Sequence, residues 1–291
     1  MTTLQNDGEE TVKRWILTGA LCGCAMLLSC ANPLKGKPPY WYNGYVYGTR
    51  AAGFFSEGKL ASALAFYGKA LAQAQGHDIP EQAAQYRFNM GRCLMELDLY
   101  DSACACFAAA NHEFTLVGKQ NEARQAAGFA ALTQAACGRN DSALSWYKLG
   151  AITPQKTADK TFWLMVHGRL VWTRDHTKEA LAYLDEAYDL YKKQKAWHGA
   201  VEACFRRAVV YHYFGEYDEA AKLLDEALAL GDKTPLRFDR WRILLAASAV
   251  SSCKKDEEKA QWFYDRAVKS MAEGKKVPPR DSVACMKEIP W

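Results

Sequence analysis

Tyr211-His212-Tyr213-Phe214-Gly215-Glu216-Tyr217-Asp218-Glu219-Ala220, running on through Leu223-Leu224-Asp225-Glu226-Ala227-Leu228, reads as the end of one helix, a turn and a second helix. Gly215 supplies the left-handed residue that closes a helix. Beyond it Ala220, Leu224 and Ala227 recur at the spacing of one helical face. A small residue, a large one a turn later and a second small one let two backbones approach while the large side chain fills the gap between them.

The same parts return along the chain. Ala63, Ala103, Ala143, Ala180, Ala220 and Ala260 are separated by 40, 40, 37, 40 and 40 residues. Four residues after each stands a large one: Tyr67, Phe107, Tyr147, Leu184, Leu224 and Tyr264. Seven after each comes a small one: Ala70, Ala110, Gly150, Ala187, Ala227 and Ala267. Twelve before each, in a preceding helix, are Ala51, Gly91, Ala131, Gly168, Ala208 and Ser248. Four coupled columns in six copies predict stacked helical hairpins, each exposing an apolar face until its neighbour covers it. A sustained coiled coil is disfavoured by the regular glycine- and proline-bearing breaks.

These columns resemble the tetratricopeptide repeat (TPR), over Gly44 to about Gly274. The resemblance implies an all-α, right-handed superhelical solenoid of about six TPR-like helix-turn-helix repeats, near 44–77, 84–117, 124–157, 161–194, 201–234 and 241–274. Gly58, Gly138 and Gly215 take the turn. Gln134 and Ser251 stand where the family has a large apolar residue, and Lys255 replaces the turn glycine. Residues beyond the family's usual 34 or so lengthen either the helices or the loops between them. The tail, 275–291, is proline-broken and is expected to cap the last hairpin or to stay mobile until a partner binds.

In such a solenoid the first helix of each hairpin lines the concave side. The positions not spent on hairpin packing there are Tyr45, Phe88, Asn89, Arg92, Arg169, Trp172, Glu202, Phe205, Arg206, His212 and Tyr213. This aromatic and basic set is the expected partner-binding groove, since arginine forks and flat rings anchor extended or acidic segments. Asn89 and Arg92 invite comparison with family members that clamp a peptide C-terminal carboxylate. Gly48, Ala52, Gly128 and Phe129 lack the matching polar groups.

The first thirty residues read as an address. Lys13 and Arg14 precede an uncharged apolar run from Trp15 to Leu28, the length of a secretory signal's apolar core. Leu27-Leu28-Ser29-Cys30 then resembles the lipobox of bacterial lipoproteins. That resemblance implies cleavage of 1–29, acyl chains such as palmitate on Cys30, a short tether over 30–43 and stable residence on a membrane. Ala31 after the cysteine points to the outer membrane, facing the periplasm. The alternative is an uncleaved anchor from Trp15 to Ala31.

Composition excludes more than it selects. The chain has 37 Lys+Arg against 33 Asp+Glu, a net +4, with both signs interspersed and no basic block for nucleic acid. Ten cysteines lack paired metal-site spacing. Six of them (Cys93, Cys104, Cys106, Cys137, Cys204, Cys253) fall inside helices, where packing is expected and a disulfide or redox role is the alternative. No HExxH, GxSxG or P-loop motif occurs, so no catalytic residue, metal or cofactor is expected beyond the lipid on Cys30. The expected function is a scaffold that binds other envelope proteins. A solute-transport accessory, with Trp172, Tyr213 and Arg169 lining a cavity, is the alternative.

Overall fold

In a computed structural model of the protein the described residues are 39–151, 157–234, 240–271, 277–284 and 286. The expected signal segment, the lipobox with Cys30 and the tether as far as residue 38 lie outside them. Among the described residues there are thirteen helices and no strand. They pair as six hairpins: α1 (Pro39–Ser56) with α2 (Leu60–Gly76), α3 (Pro80–Glu96) with α4 (Tyr100–Leu116), and α5 (Gln120–Ala136) with α6 (Asn140–Gly150). Then come α7 (Thr157–Asp175) with α8 (Glu179–Lys193), α9 (Trp197–Tyr213) with α10 (Tyr217–Gly231), and α11 (Arg240–Cys253) with α12 (Glu257–Ser270). A short α13 (Arg280–Val283) follows in the tail. The all-α solenoid of TPR-like hairpins expected from the sequence is the fold the chain adopts.

The coupled columns are its core. All six alanines of the first column are buried, as are all six small residues of the third and all six of the fourth. Of the large residues, Tyr67, Phe107, Leu184 and Leu224 are buried, whereas Tyr147 and Tyr264 are half-buried. Ser248, the polar member, donates its hydroxyl to the carbonyl of Ala260 at 2.8 Å, so its burial leaves no orphan.

Over the first two and a half repeats the added length goes into the helices. α2 to α5 are 17 residues each, and three-residue turns separate them. The turns share one cap, in which the third residue past the helix reaches back to close it. Lys59 N–H bonds the Phe54 carbonyl at 2.9 Å, Leu99 that of Leu94 at 2.9 Å, Arg139 that of Gln134 at 3.0 Å and Asp256 that of Ser251 at 3.0 Å. This is the Schellman arrangement, and it requires a left-handed residue at the turn. Glycine fills it at Gly58, Gly138 and Gly215, with φ of 73°, 72° and 77°, while Asp98 and Lys255 accept φ of 60° and 62°.

Ion pairs one repeat apart tie the turn edge of the stack. Lys119 bonds Glu81, Arg139 bonds Asp101, Lys178 bonds Glu216 and Lys254 bonds Asp218. Exposed pairs of this kind are screened by water and contribute little, so they set register more than stability.

Two features depart from expectation. α1 begins at Pro39, inside the stretch expected to be tether, because proline is tolerated in a first helical turn where its missing N–H has no partner to lose. Cys253 is disulfide-bonded and not simply packed, whereas Cys93, Cys104, Cys106, Cys137 and Cys204 are free. The described part of the tail docks onto the last hairpins. Val283 is buried, Arg280 pairs with Glu257 at 2.8 Å, and Tyr264 donates to the Pro278 carbonyl at 2.7 Å.

Candidate partner-binding groove

The first helices of the last three hairpins, α7, α9 and α11, touch one another and form a continuous wall. Arg169 on α7, Glu202 and Arg206 on α9 and Arg242 on α11 converge on it. Opposite them, from the second hairpin, come Glu96 at the end of α3 and Tyr100 at the start of α4.

Glu202 is the pivot. Its Oε1 accepts from Arg206 Nε at 2.7 Å and lies 2.6 Å from Arg206 Nη2. Its side chain remains 38% exposed while Arg206 is 2% exposed, so a carboxylate with access to water covers a buried guanidinium. Burial alone would raise its pKa, but Arg206, Arg169 and Arg242 overcome burial and hold it at about 2. Arg169 is displaced the other way. Burial first, and then Arg206, pull it well below the ordinary arginine range, although Glu202 opposes the shift. Tyr100 donates its hydroxyl to Asp98 at 3.0 Å, and burial with that neighbouring carboxylate raises its pKa to about 12.

The residues expected to line the groove divide into two sets. Arg169, Glu202 and Arg206 come together as described. Arg92, one helical turn before Glu96 on α3, has its guanidinium 4.7 Å from the Phe55 ring centre, and Tyr45 stacks on Trp41 at 6.0 Å. Phe88, Trp172 and Phe205 are buried in core packing. Phe88 meets the edges of Phe107 and Phe129 at 5.6 and 5.3 Å. Trp172 packs edge to face on the half-buried Tyr213, ring centres 5.1 Å apart. Asn89 is buried with no donor at its Oδ1. His212 is buried beneath the tail, where its Nε2 donates to the Met286 carbonyl at 2.6 Å, and burial lowers its pKa despite that bond.

Glu96, Tyr100 and Arg242 went unrecognised in the sequence. Each lies near a helix end and belongs to the site only because the superhelix brings the second hairpin to the sixth, a closure no local pattern encodes. Chemically the wall can bind. It presents guanidinium forks already matched to carboxylates, which suits recognition of acidic groups.

No family model matches the sequence, and no curated protein matches it. Solved structures do. A Rap protein complexed with competence and sporulation factor superposes with a TM-score of 0.62 at 16% identity, over 84% of this chain and 80% of that one. Aspartyl phosphate phosphatase F from Bacillus subtilis gives a TM-score of 0.60 at 15% identity, over 90% of this chain but only 63% of its own length. A thermophilic TPR protein from Thermus thermophilus is 24% identical over 66% of this chain and 93% of its own, with a TM-score of 0.46 that is too low to carry weight. At these identities the likeness is one of fold, a TPR-like helical repeat.

Proposed function

We propose that the protein is a lipid-anchored adaptor of the bacterial cell envelope that holds a partner protein in its concave groove and performs no catalysis itself. The observation that carries this reading is the wall of Arg169, Glu202, Arg206 and Arg242, where four charged side chains from three hairpins converge, largely covered, instead of dispersing over the surface. Desolvating that many charges costs stability. Such an arrangement is characteristic of sites kept for binding. The similar Rap structure is described with a factor bound, which supports partner binding as a use of this type of solenoid.

The anchor rests on the lipobox at Leu27-Leu28-Ser29-Cys30, with the outer membrane, facing the periplasm, as destination. Cells fed radiolabelled palmitate should label the full-length protein, and Cys30→Ala should abolish the label. Labelling that survives the substitution removes the anchor from the proposal.

The groove is tested by a photo-crosslinking residue at Arg92 on the inner wall, with Gln261 on the exposed face of α12 as control, in native envelopes. A defined partner captured from Arg92 and not from Gln261 supports the adaptor. Identical capture from both positions, or none from Arg92, refutes it.

A further inference from the structure

From Cys30 to Ser56 every charged residue is a cation: Lys35, Lys37 and Arg50 stand in this stretch with no Asp or Glu among them. The stretch ends in α1, which opens with Tyr40-Trp41-Tyr42-Asn43-Gly44-Tyr45-Val46 directly after its first proline. Tyr42 is 51% exposed and Val46 39% exposed, one helical turn apart on one face. Trp41 and Tyr45 flank them, half-buried and stacked on each other with their planes 15° apart. The other face of α1 is closed against the solenoid. Gly44 and Gly48 are buried there, and a Cβ at Gly48 would stand 2.6 Å from the Tyr86 ring of α3. The Tyr42 and Val46 side therefore looks outward from the first helix of the array, where no earlier hairpin among the described residues covers it.

We infer that this face of α1 rests on the phospholipid surface in which Cys30 is anchored, so that the first hairpin as well as the acyl chains holds the solenoid to the bilayer. The inference rests on the lipid-anchor reading and adds to it a contact made by the folded chain. Pro39 follows Cys30 by nine residues, and even fully extended they span at most about 30 Å. An acyl chain on Cys30 thus presents α1 to the bilayer at high effective concentration. Tyrosine and tryptophan, with an apolar ring and a polar tip, settle where lipid meets water. Cations beside them, with no carboxylate to repel the membrane, suit anionic headgroups. No helix among the described residues is long and apolar enough to cross a membrane, so the contact is one of lying on the surface.

A photo-crosslinking residue placed at Tyr42, at Val46 or at Trp262 of α12 tests this in native envelopes carrying the full-length protein. Trp262 is the control, since at 51% it is as exposed as Tyr42 but belongs to the last hairpin. All three positions are on the surface, and an unchanged thermal midpoint confirms that each variant folds. Mass spectrometry of the crosslinked peptides should find phospholipid adducts at Tyr42 and Val46 and none at Trp262. No phospholipid adduct at Tyr42, equal phospholipid adducts from Tyr42 and Trp262, or protein adducts at Tyr42 in their place overturn the inference. The palmitate experiment separates this failure from that of the anchor. Palmitate on Cys30 without lipid capture at Tyr42 leaves the anchor standing and removes the α1 contact, whereas lipid capture at Tyr42 without palmitate keeps the contact and removes the anchor.

Discussion

Gly91 on α3 lies so close under Phe107 on α4 that a Cβ at Gly91 would stand 2.8 Å from the ring's Cε1 and 2.9 Å from its Cδ1. The missing side chain is what lets the two helices of the second hairpin close around a fully buried phenyl ring. The same arrangement recurs in the fourth hairpin, where a Cβ at Gly168 would stand 3.0 Å from the Leu184 side chain.

Gly91→Ala should therefore destabilise the fold by about 1–3 kcal/mol, the cost of overpacking a close contact. Gly53→Ala, on an exposed face of α1 with nothing within 4 Å of the added carbon, should stabilise it by roughly 0.5–1 kcal/mol. Denaturant unfolding of both variants checks the pair. Equal effects would mean that the column of small residues does not set hairpin packing.

Lys255 holds φ at 62° in the turn of the sixth hairpin, the place that glycine takes in the first, third and fifth. Left-handed backbone costs a side-chain-bearing residue about 1–2 kcal/mol. Lys255→Gly should raise stability by roughly 1 kcal/mol after the added flexibility of glycine is set against that gain. Gly215→Ala should lower stability by a similar amount, both read from denaturation midpoints.

Glu202 sets an acid limit. Its pKa falls from an ordinary 4.5 to about 2 in the folded chain, so between those values the unfolded chain binds the extra proton. Its contribution is complete above pH 4.5 and is lost as the pH drops through about 2. Because more than a third of the side chain is in water, the loss is moderated by solvent. Glu202→Gln should flatten the stability profile over this window, and an unaltered profile would show that the three arginines do not hold the carboxylate ionised.

Val283 in the tail is buried with the core of the last hairpins, and His212 below it holds the Met286 carbonyl. Val283→Ala should cost roughly 1–3 kcal/mol as a core truncation and should speed hydrogen exchange in α11 and α12 before it does so in α1 or α2. Uniform exchange along the chain would mean that the tail is not a cap.

The fold was legible because its signal is local and repeated. Ala220, Leu224 and Ala227 share a face within two turns, and each copy restates them. The turn was equally readable at Gly215, while Asp98 and Lys255 hid theirs because their neighbours impose a conformation that their own side chains disfavour. The burial of Phe88, Trp172 and Phe205 was not legible because a first helix packs on three sides. Periodicity identifies the face toward the second helix, but not which of the remaining faces meets the next hairpin. Glu96 and Arg242 were invisible for a different reason. Their pairing depends on the accumulated rotation of the hairpins stacked between them, and nothing in either helix announces it.

Binding at the arginine wall is tested most directly with the partner captured through Arg92, purified and titrated against the intact protein. Arg169→Gln should weaken that complex about tenfold while leaving the thermal midpoint within a few degrees of wild type. An unchanged affinity, with the partner held equally well by a protein altered on its inner wall, would contradict the placement of the site in the groove.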